Sequence, residues 1–422
     1  MDLKLNMHSL GMLLLFAASC LNSMLLLAWL IIIPIWLIFT YGKSGAIEFF
    51  IYLQFRSLLS TGVAVPIAGN AAIIKWIVIF GLSFYLLIGR FSWITEEIKS
   101  ILNGLLLFSV VVVISSFFVC SYPLVSMFKV FAYIVPFIAI IVGVYQTRQV
   151  DYMHMINSIF EILIIGSAFV YPLSIGYMIN RSFQGLFNHP NMLGIMMPMF
   201  VAGYFYEKKR ITLSCIITTV ICVTYVYLSQ SRTGMISLLV ILIVFLFKQE
   251  ISLNQKILFT VLVALIMVLV LTLDDSVINI SRDFLLKGQK ENLFVSRAGQ
   301  ITNNTTRFLA SPIFGTGLNV PYIPGERSYQ FTFDLIAENG NLFMALLADT
   351  GIIGLISFVL AYFRIFLKGK GNLPTIFFAP FLVSLGEMAF FSTNNCAIIY
   401  YLYFAIYISD INQIEEASET LL

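Results

Sequence analysis

Charge is scarce in this chain of 422 residues: Asp, Glu, Lys and Arg make up 11% of it, 60% is hydrophobic, and the mean hydropathy is +0.95. An average soluble domain carries about 25% charged residues, so the apolar surface here exceeds what a water-soluble core can hide. A lipid bilayer is the medium that fits it. Histidine is nearly absent, at three residues, and the five cysteines (Cys20, Cys120, Cys215, Cys222 and Cys396) fall within or beside apolar runs. They suggest neither a disulfide framework nor a metal site. The net charge of +3 is too small and too dispersed for a nucleic-acid partner. Segments of about ten residues with alternating polarity, the mark of a membrane barrel, are missing, and so are repeats of about 20–50 residues.

What is there is a series of apolar runs of about 18–25 residues, the length that crosses roughly 30 Å of hydrocarbon as a helix. They lie near 10–41, 72–89, 101–120, 124–146, 156–178, 190–206, 211–228, 233–247, 257–273, 341–363, 374–391 and 395–409. The expected fold is all-α and polytopic: a single transmembrane domain over 1–422 with about twelve membrane helices, in a range of roughly 11–14. The first run is interrupted by Ser19, Asn22 and Ser23, so it reads as one broken helix or a helical pair. It is too long for a signal peptide and lacks a small-residue cleavage site, so it is read as retained. Residues 44–70, broken by Arg56, Gly62, Pro66 and Gly69, are ambiguous, with an interfacial placement open.

Orientation follows from where short connections keep Lys and Arg. Arg90 with Lys99, Arg148, Lys208-Lys209-Arg210, Lys248 with Lys256, and Arg364 with Lys368 and Lys370 share one side on this assignment, which makes that side cytoplasmic. The other side receives 179–189, 229–232, 392–394 and a long polar loop over 274–337. That loop reads as two amphipathic helices, near 276–288 and 296–310, closed by the turn-rich Ser311-Pro312-Ile313-Phe314-Gly315-Thr316-Gly317. A loop of this length is more often functional or disordered than idle, and its aromatic content favours an ordered loop apposed to the membrane.

Four arginines fall on the extracytoplasmic side: Arg181, Arg232, Arg297 and Arg307. A guanidinium stays charged and presents a planar fork of donors, which suits a diphosphate at a membrane boundary. The bland alternative is that each snorkels to lipid headgroups or meets a carboxylate. Arg232 sits between two apolar runs joined by only a few residues, where a cation needs a reason. Its neighbours Ser229, Ser231 and Thr233 can donate to a phosphate oxygen or cap the following helix. Asp274-Asp275 reads as solvated acids rather than a metal pair, and His189 before Pro190 as structural. Glu161, Glu387 and Asp349 lie in or near spans, where an ionisable group is a functional hypothesis by default. Asp349 has the further option of pairing with an arginine.

Four short motifs carry a family resemblance. Gly185-x-Phe187-x-x-Pro190-Asn191-x-x-Gly194 comes first, then Ser231-Arg232-Thr233-Gly234, then Arg297 followed by Pro312-x-x-Gly315-x-Gly317. Last is Glu338-Asn339 leading into Leu346-x-x-Asp349-x-Gly351-Ile352-Ile353-Gly354-Leu355. In order and spacing this set resembles the O-antigen ligase/polymerase superfamily, over about residues 180–365 by motif and most of the chain by hydropathy.

The resemblance implies a multi-pass enzyme of the bacterial inner membrane whose active site faces the periplasm. Such an enzyme moves a glycan from undecaprenyl pyrophosphate to an acceptor hydroxyl. It implies no cofactor and no metal. Its partners would be undecaprenyl-pyrophosphate-linked oligosaccharides and membrane lipid, with a chain-length regulator and a flippase of the same pathway. By analogy Arg232 and Arg297 hold the pyrophosphate, Arg181 and Arg307 assist, and Ser231, Asn339, Asn191 and Asp349 support them. Ligases of this kind usually carry a His-Asn pair where this chain reads Ala337-Glu338-Asn339. The substitution leans toward the repeat-unit polymerase and leaves Glu338 as the catalytic base. Desolvation at the boundary raises the pKa of a carboxylate, so that it accepts a proton from the attacking hydroxyl. Its bland alternative is a first-turn acid complementing a helix dipole. The rivals are a ligase that passes the finished glycan to lipid A-core or protein, and a transporter or flippase of the same lipid-linked sugars. Transporters commonly carry internal repeats.

Overall fold

The computed structural model describes residues 7–89, 96–178, 182–208, 212–248, 298–332, 340–368 and 374–419. Among them every regular element is helical, and strand-like pairing occurs only as isolated bridges such as that between Tyr177 and Phe183. In chain order the α-helices are α1 (Met7–Ser19), α2 (Ser23–Tyr41), α3 (Lys43–Ser57), α4 (Asn70–Leu87), α5 (Glu96–Val119), α6 (Pro123–Gln146) and α7 (Tyr152–Val170). They continue with α8 (Pro190–Lys208), α9 (Leu213–Leu228), α10 (Arg232–Lys248), α11 (Ala298–Ala310), α12 (Leu342–Lys368), α13 (Thr375–Ser384) and α14 (Ala397–Glu419). Six of them (α2, α4, α5, α6, α7 and α12) are long and apolar enough to cross a membrane, and shorter apolar helices accompany them. The expected run 257–273 lies outside the described residues.

The chain forms two compact units. The larger contains 2–165, 300–372 and 384–422; the smaller contains 166–299 and 373–383. In the larger unit the first apolar run is a helical pair, because the Asn22 side chain accepts the Leu25 N–H at 2.9 Å and starts α2 afresh. Residues 44–70, ambiguous in the sequence, open with α3, whose residues from Gly45 to Arg56 are all buried in the protein. Its polar side chains find partners distant in sequence. Glu48 meets His8 at 2.8 Å, Gln54 accepts the Ile398 N–H at 3.2 Å, and Arg56 donates to the Ser19 and Val65 carbonyls at 3.1 and 2.5 Å.

Arg56 thereby closes the C-terminal turn of α1, and Lys43 does the same for α4 through the Leu86 and Ile88 carbonyls at 3.1 and 2.6 Å. Cations at these ends complement the negative pole of the helix dipole. Helix α12 packs on α5, and α14 on α6. Between them lies an aromatic core in which the buried Tyr133 and Tyr362 hydroxyls bond at 2.8 Å.

The long polar loop contains α11, close to the expected 296–310, whereas 276–288 lies outside the described residues. After α11 the chain runs without regular structure over 311–332 and is tied to the ends of α5 and α6. Ser121 exchanges two hydrogen bonds with Ile323 at 3.0 Å, the Leu318 N–H donates to Ser126 Oγ at 2.8 Å, and Lys129 donates to the Asn319 carbonyl at 2.6 Å. The expected run 374–391 also differs. Helix α13 stops after ten residues and is followed by turns through 396, where the Asn395, Cys396 and Ala397 N–H groups all bond to the Ser392 carbonyl.

Helix α12 is broken at Gly351 (φ 65°, ψ −171°). The Pro312–Gly317 turn docks on the break. The Ile352 N–H donates to the Pro312 carbonyl at 2.9 Å, and the Thr316 and Gly317 N–H groups donate to the Ala348 and Asp349 carbonyls at 3.0 and 2.9 Å. Backbone meets backbone here. A Cβ on Gly315 would overlap Asp349 and Thr350, and one on Gly351 would overlap Ile313 and Phe314. Both glycines also hold positive φ, which an L side chain resists.

Candidate functional site

In the smaller unit the Ser-Arg-Thr-Gly motif is the turn between α9 and α10. The Ser229 N–H bonds to the Tyr225 carbonyl at 2.9 Å, Gln230 takes a left-handed φ of 56°, and the Ser231 N–H bonds to the Val226 carbonyl at 3.3 Å. The Ser231 side chain then accepts the Gly234 N–H at 3.2 Å, the N-cap bond for a helix whose first residue is Arg232. Arg232 is half-buried. A cation at this end opposes the helix dipole, by about 0.3–1 kcal/mol at an exposed site. Local helix energetics therefore give no reason for an arginine at this place.

The first motif supplies the other wall of this turn. Gly185 is left-handed (φ 57°) against Ser167, whose hydroxyl accepts the Leu186 N–H at 3.1 Å, and Phe187 is buried. Pro190 opens α8, while His189 Nδ1 accepts the Asn191 N–H at 3.1 Å. A Cβ on Gly194 would overlap Ser231, and one on Gly234 would overlap the Gly194 carbonyl. The N-terminal turns of α8 and α10 therefore lie in direct contact. Amide N–H groups directed out of two adjacent helix starts favour an anion.

The larger unit holds Arg307 and Asp349, and brings them together. Arg307 Nη2 lies 2.5 Å from Asp349 Oδ1 and 3.2 Å from the Gly317 carbonyl, and Nε donates to Thr316 Oγ1 at 3.0 Å. Asp349 Oδ2 accepts the Asn319 N–H at 2.7 Å. Arg307 is 1% exposed and Asp349 0%. The Arg307 guanidinium is thus engaged by a carboxylate and by the turn that docks on α12. The Asp349 option of pairing with an arginine is realised.

Arg181, Arg297, Glu338 and Asn339 lie outside the described residues. Glu161 is buried in α7, and Glu387 is half-buried in the turns after α13.

Two further cations are buried: Arg56, which the sequence marks only as a break in 44–70, and Lys75, which it does not single out. Lys75 on α4 donates to the Asn394 carbonyl at 2.5 Å, and Arg56 lies within its electrostatic reach. A signal existed: Lys75 interrupts the apolar run that begins near residue 72, where a charge is costly and marks function by default.

No curated protein matches this chain. Residues 217–359, which include Arg232, Arg297, Arg307, Glu338 and Asp349, match the family model described as O-Antigen ligase, and this match supports the superfamily resemblance read from the motifs.

Proposed function

We propose that the chain is a membrane glycosyltransferase that joins undecaprenyl-pyrophosphate-linked oligosaccharide repeats into O-antigen, capsule or exopolysaccharide. It would work in the bacterial inner membrane with its site toward the periplasm, beside a flippase and a chain-length regulator. The growing glycan is the donor. A hydroxyl of a fresh lipid-linked repeat attacks its anomeric carbon, and the new glycosidic bond forms as the bond from that carbon to the pyrophosphate oxygen breaks. The hydroxyl proton passes to Glu338, and the electron pair leaves with undecaprenyl pyrophosphate. Arg232 and Arg297 hold that leaving group and offset its developing charge. Asn191, Ser231 and Asn339 shape the surroundings, Arg181 assists, and Arg307 with Asp349 maintains the fold.

The observation that carries this reading is Arg232, a guanidinium held at the start of α10 against the local dipole, beside the start of α8. An anion between the two helix starts removes the conflict. The match over residues 217–359 supports a ligase- or polymerase-type role in glycan assembly. Glu338 in place of the ligase histidine favours the polymerase.

A second reading, transport of the same lipid-linked sugars, draws on the break in α12 at Gly351, since broken helices often form transporter sites. Purified protein supplied with a lipid-linked repeat separates all three. A ladder of lengthening products supports the polymerase, transfer only to an added lipid A-core or protein acceptor supports the ligase, and no new glycosidic bond supports transport. Glu338→Gln should lower turnover by about 100-fold with donor binding kept, and an unchanged rate removes Glu338 as the base.

A further inference from the structure

A polymerase binds two lipid pyrophosphates at once, one on the donor and one on the acceptor, and the Arg232 turn accounts for one of them. The larger unit holds a separate concentration of positive charge. Lys75 is 4% exposed and Arg56 2%, and among the described residues no carboxylate lies within ion-pair distance of either. Lys75 bonds to a carbonyl of Asn394, and Arg56 to carbonyls of Ser19 and Val65 and to the Ser19 hydroxyl. Carbonyl dipoles offset part of a buried charge and leave its net sign, which an entering anion would balance. Polar atoms without a hydrogen bond lie on the turn that Lys75 reaches and on the α3 side chain that meets its end. Gln54, 1% exposed, receives the Ile398 N–H on Oε1 while its Nε2 has no hydrogen bond, and the buried Oδ1 of Asn395 likewise has none. Lys75 reaches residue 394 and Gln54 reaches residue 398, so both side chains address one turn. Buried orphan donors and acceptors in a native fold ask for a missing partner.

We infer that Lys75, Gln54 and Asn395, with the positive charge of Arg56 in electrostatic reach, form a second glycosyl-phosphate subsite, which takes the head group of the acceptor repeat; this rests on the polymerase reading. Lys75 and the Gln54 amide donate to phosphate oxygens, Arg56 keeps its bonds to Ser19 and Val65 and adds positive charge, and Asn395 Oδ1 accepts a sugar hydroxyl. A ligase, whose acceptor lacks the lipid pyrophosphate, has no use for this set.

The test uses the full chain in nanodiscs of zwitterionic lipid, titrated with inorganic pyrophosphate by calorimetry. Wild type should show two binding events, Arg232→Ala and Lys75→Met one each, and Lys75→Arg both. A single event in the wild type overturns the inference whatever the fate of the variants, and so does a Lys75→Met titration that matches wild type. Adding anionic phosphatidylglycerol separates the sources of phosphate: a second event abolished by that lipid marks a headgroup site and overturns the acceptor assignment. In the transfer assay Lys75→Met should raise the KM for acceptor about tenfold while kcat and donor binding hold. Unchanged acceptor KM alongside active transfer overturns the inference. Wild-type protein that shows both events yet transfers nothing supports the subsite and overturns the polymerase reading.

Discussion

Arg232 and Arg307 belong to the same set of four arginines that the sequence places on the extracytoplasmic side, and they sit in opposite circumstances. Arg232 opens α10, half-buried, with the helix dipole against it. Arg307 is 1% exposed, bonded to a carboxylate, a carbonyl and a hydroxyl of its own unit. Both residues lie in the segment that matches the family model. One matched segment thus holds a buried arginine that ties its own unit together and an arginine proposed to address a ligand. What separates them is place and burial: one sits half-buried at a helix start, the other is closed into a buried ion pair.

Substitution can break this contrast. Arg232→Ala should lower polymer formation by about 100-fold or more, the scale of losing a charged donor at a leaving group, with thermal unfolding unchanged or slightly raised. A variant that unfolds early and retains its specific activity would reverse the two roles. Arg307→Ala should act the other way and destabilise the protein by about 3–5 kcal/mol, because it strands the buried Asp349. The double change Arg307→Met with Asp349→Leu should recover most of that loss in a thermal unfolding scan, since an apolar pair of similar volume needs no counter-charge. If the double variant is as unstable as the single one, the pair contributes more than charge balance.

The contrast sharpens at the glycines. Gly351→Ala adds a Cβ where Ile313 and Phe314 approach and forces a positive φ on it, so a loss of about 1–3 kcal/mol or more is expected. Gly81→Ala, at a helical site with open space around it, serves as the control and should cost nothing measurable. The smallest effect concerns Cys120. Its thiol lies at 1% exposure in the small core with Val125 and Val320, and burial pushes its pKa up to about 11. It should resist maleimide at neutral pH, and fast labelling in wild type would mean that the 311–332 segment leaves its seat.

The sequence made the helical class and the order of the apolar runs legible, because a helix buried in lipid or protein is apolar all round. It could not place α3. That helix has Glu48, Gln54 and Arg56 along a buried length, and their partners His8, Ile398, Ser19 and Val65 lie in three separate parts of the chain. The break in α12 was invisible for the same reason. Asp349-Thr350-Gly351 reads as one turn of a continuous helix until the Pro312–Gly317 turn is set against it. At the candidate site, Arg232 and the serine cap were legible from the short polar turn between two apolar runs. The Arg307–Asp349 pair was legible only as an option, Arg56 only as a break in the 44–70 stretch, and Lys75 not at all, because one cation near the end of an apolar run leaves the run long enough to read as a span.

The Gly351 break also bears on how the chain is made. Unpaired backbone groups are costly in hydrocarbon, and here those on either side of the break are taken up by residues 312, 316 and 317. The turn precedes α12 in the sequence, so synthesis delivers it before the helix that needs it. The second half of this membrane segment thus carries its hydrogen-bond partners ahead of it, and a truncation or relocation of the loop would leave the span without a complete backbone of its own.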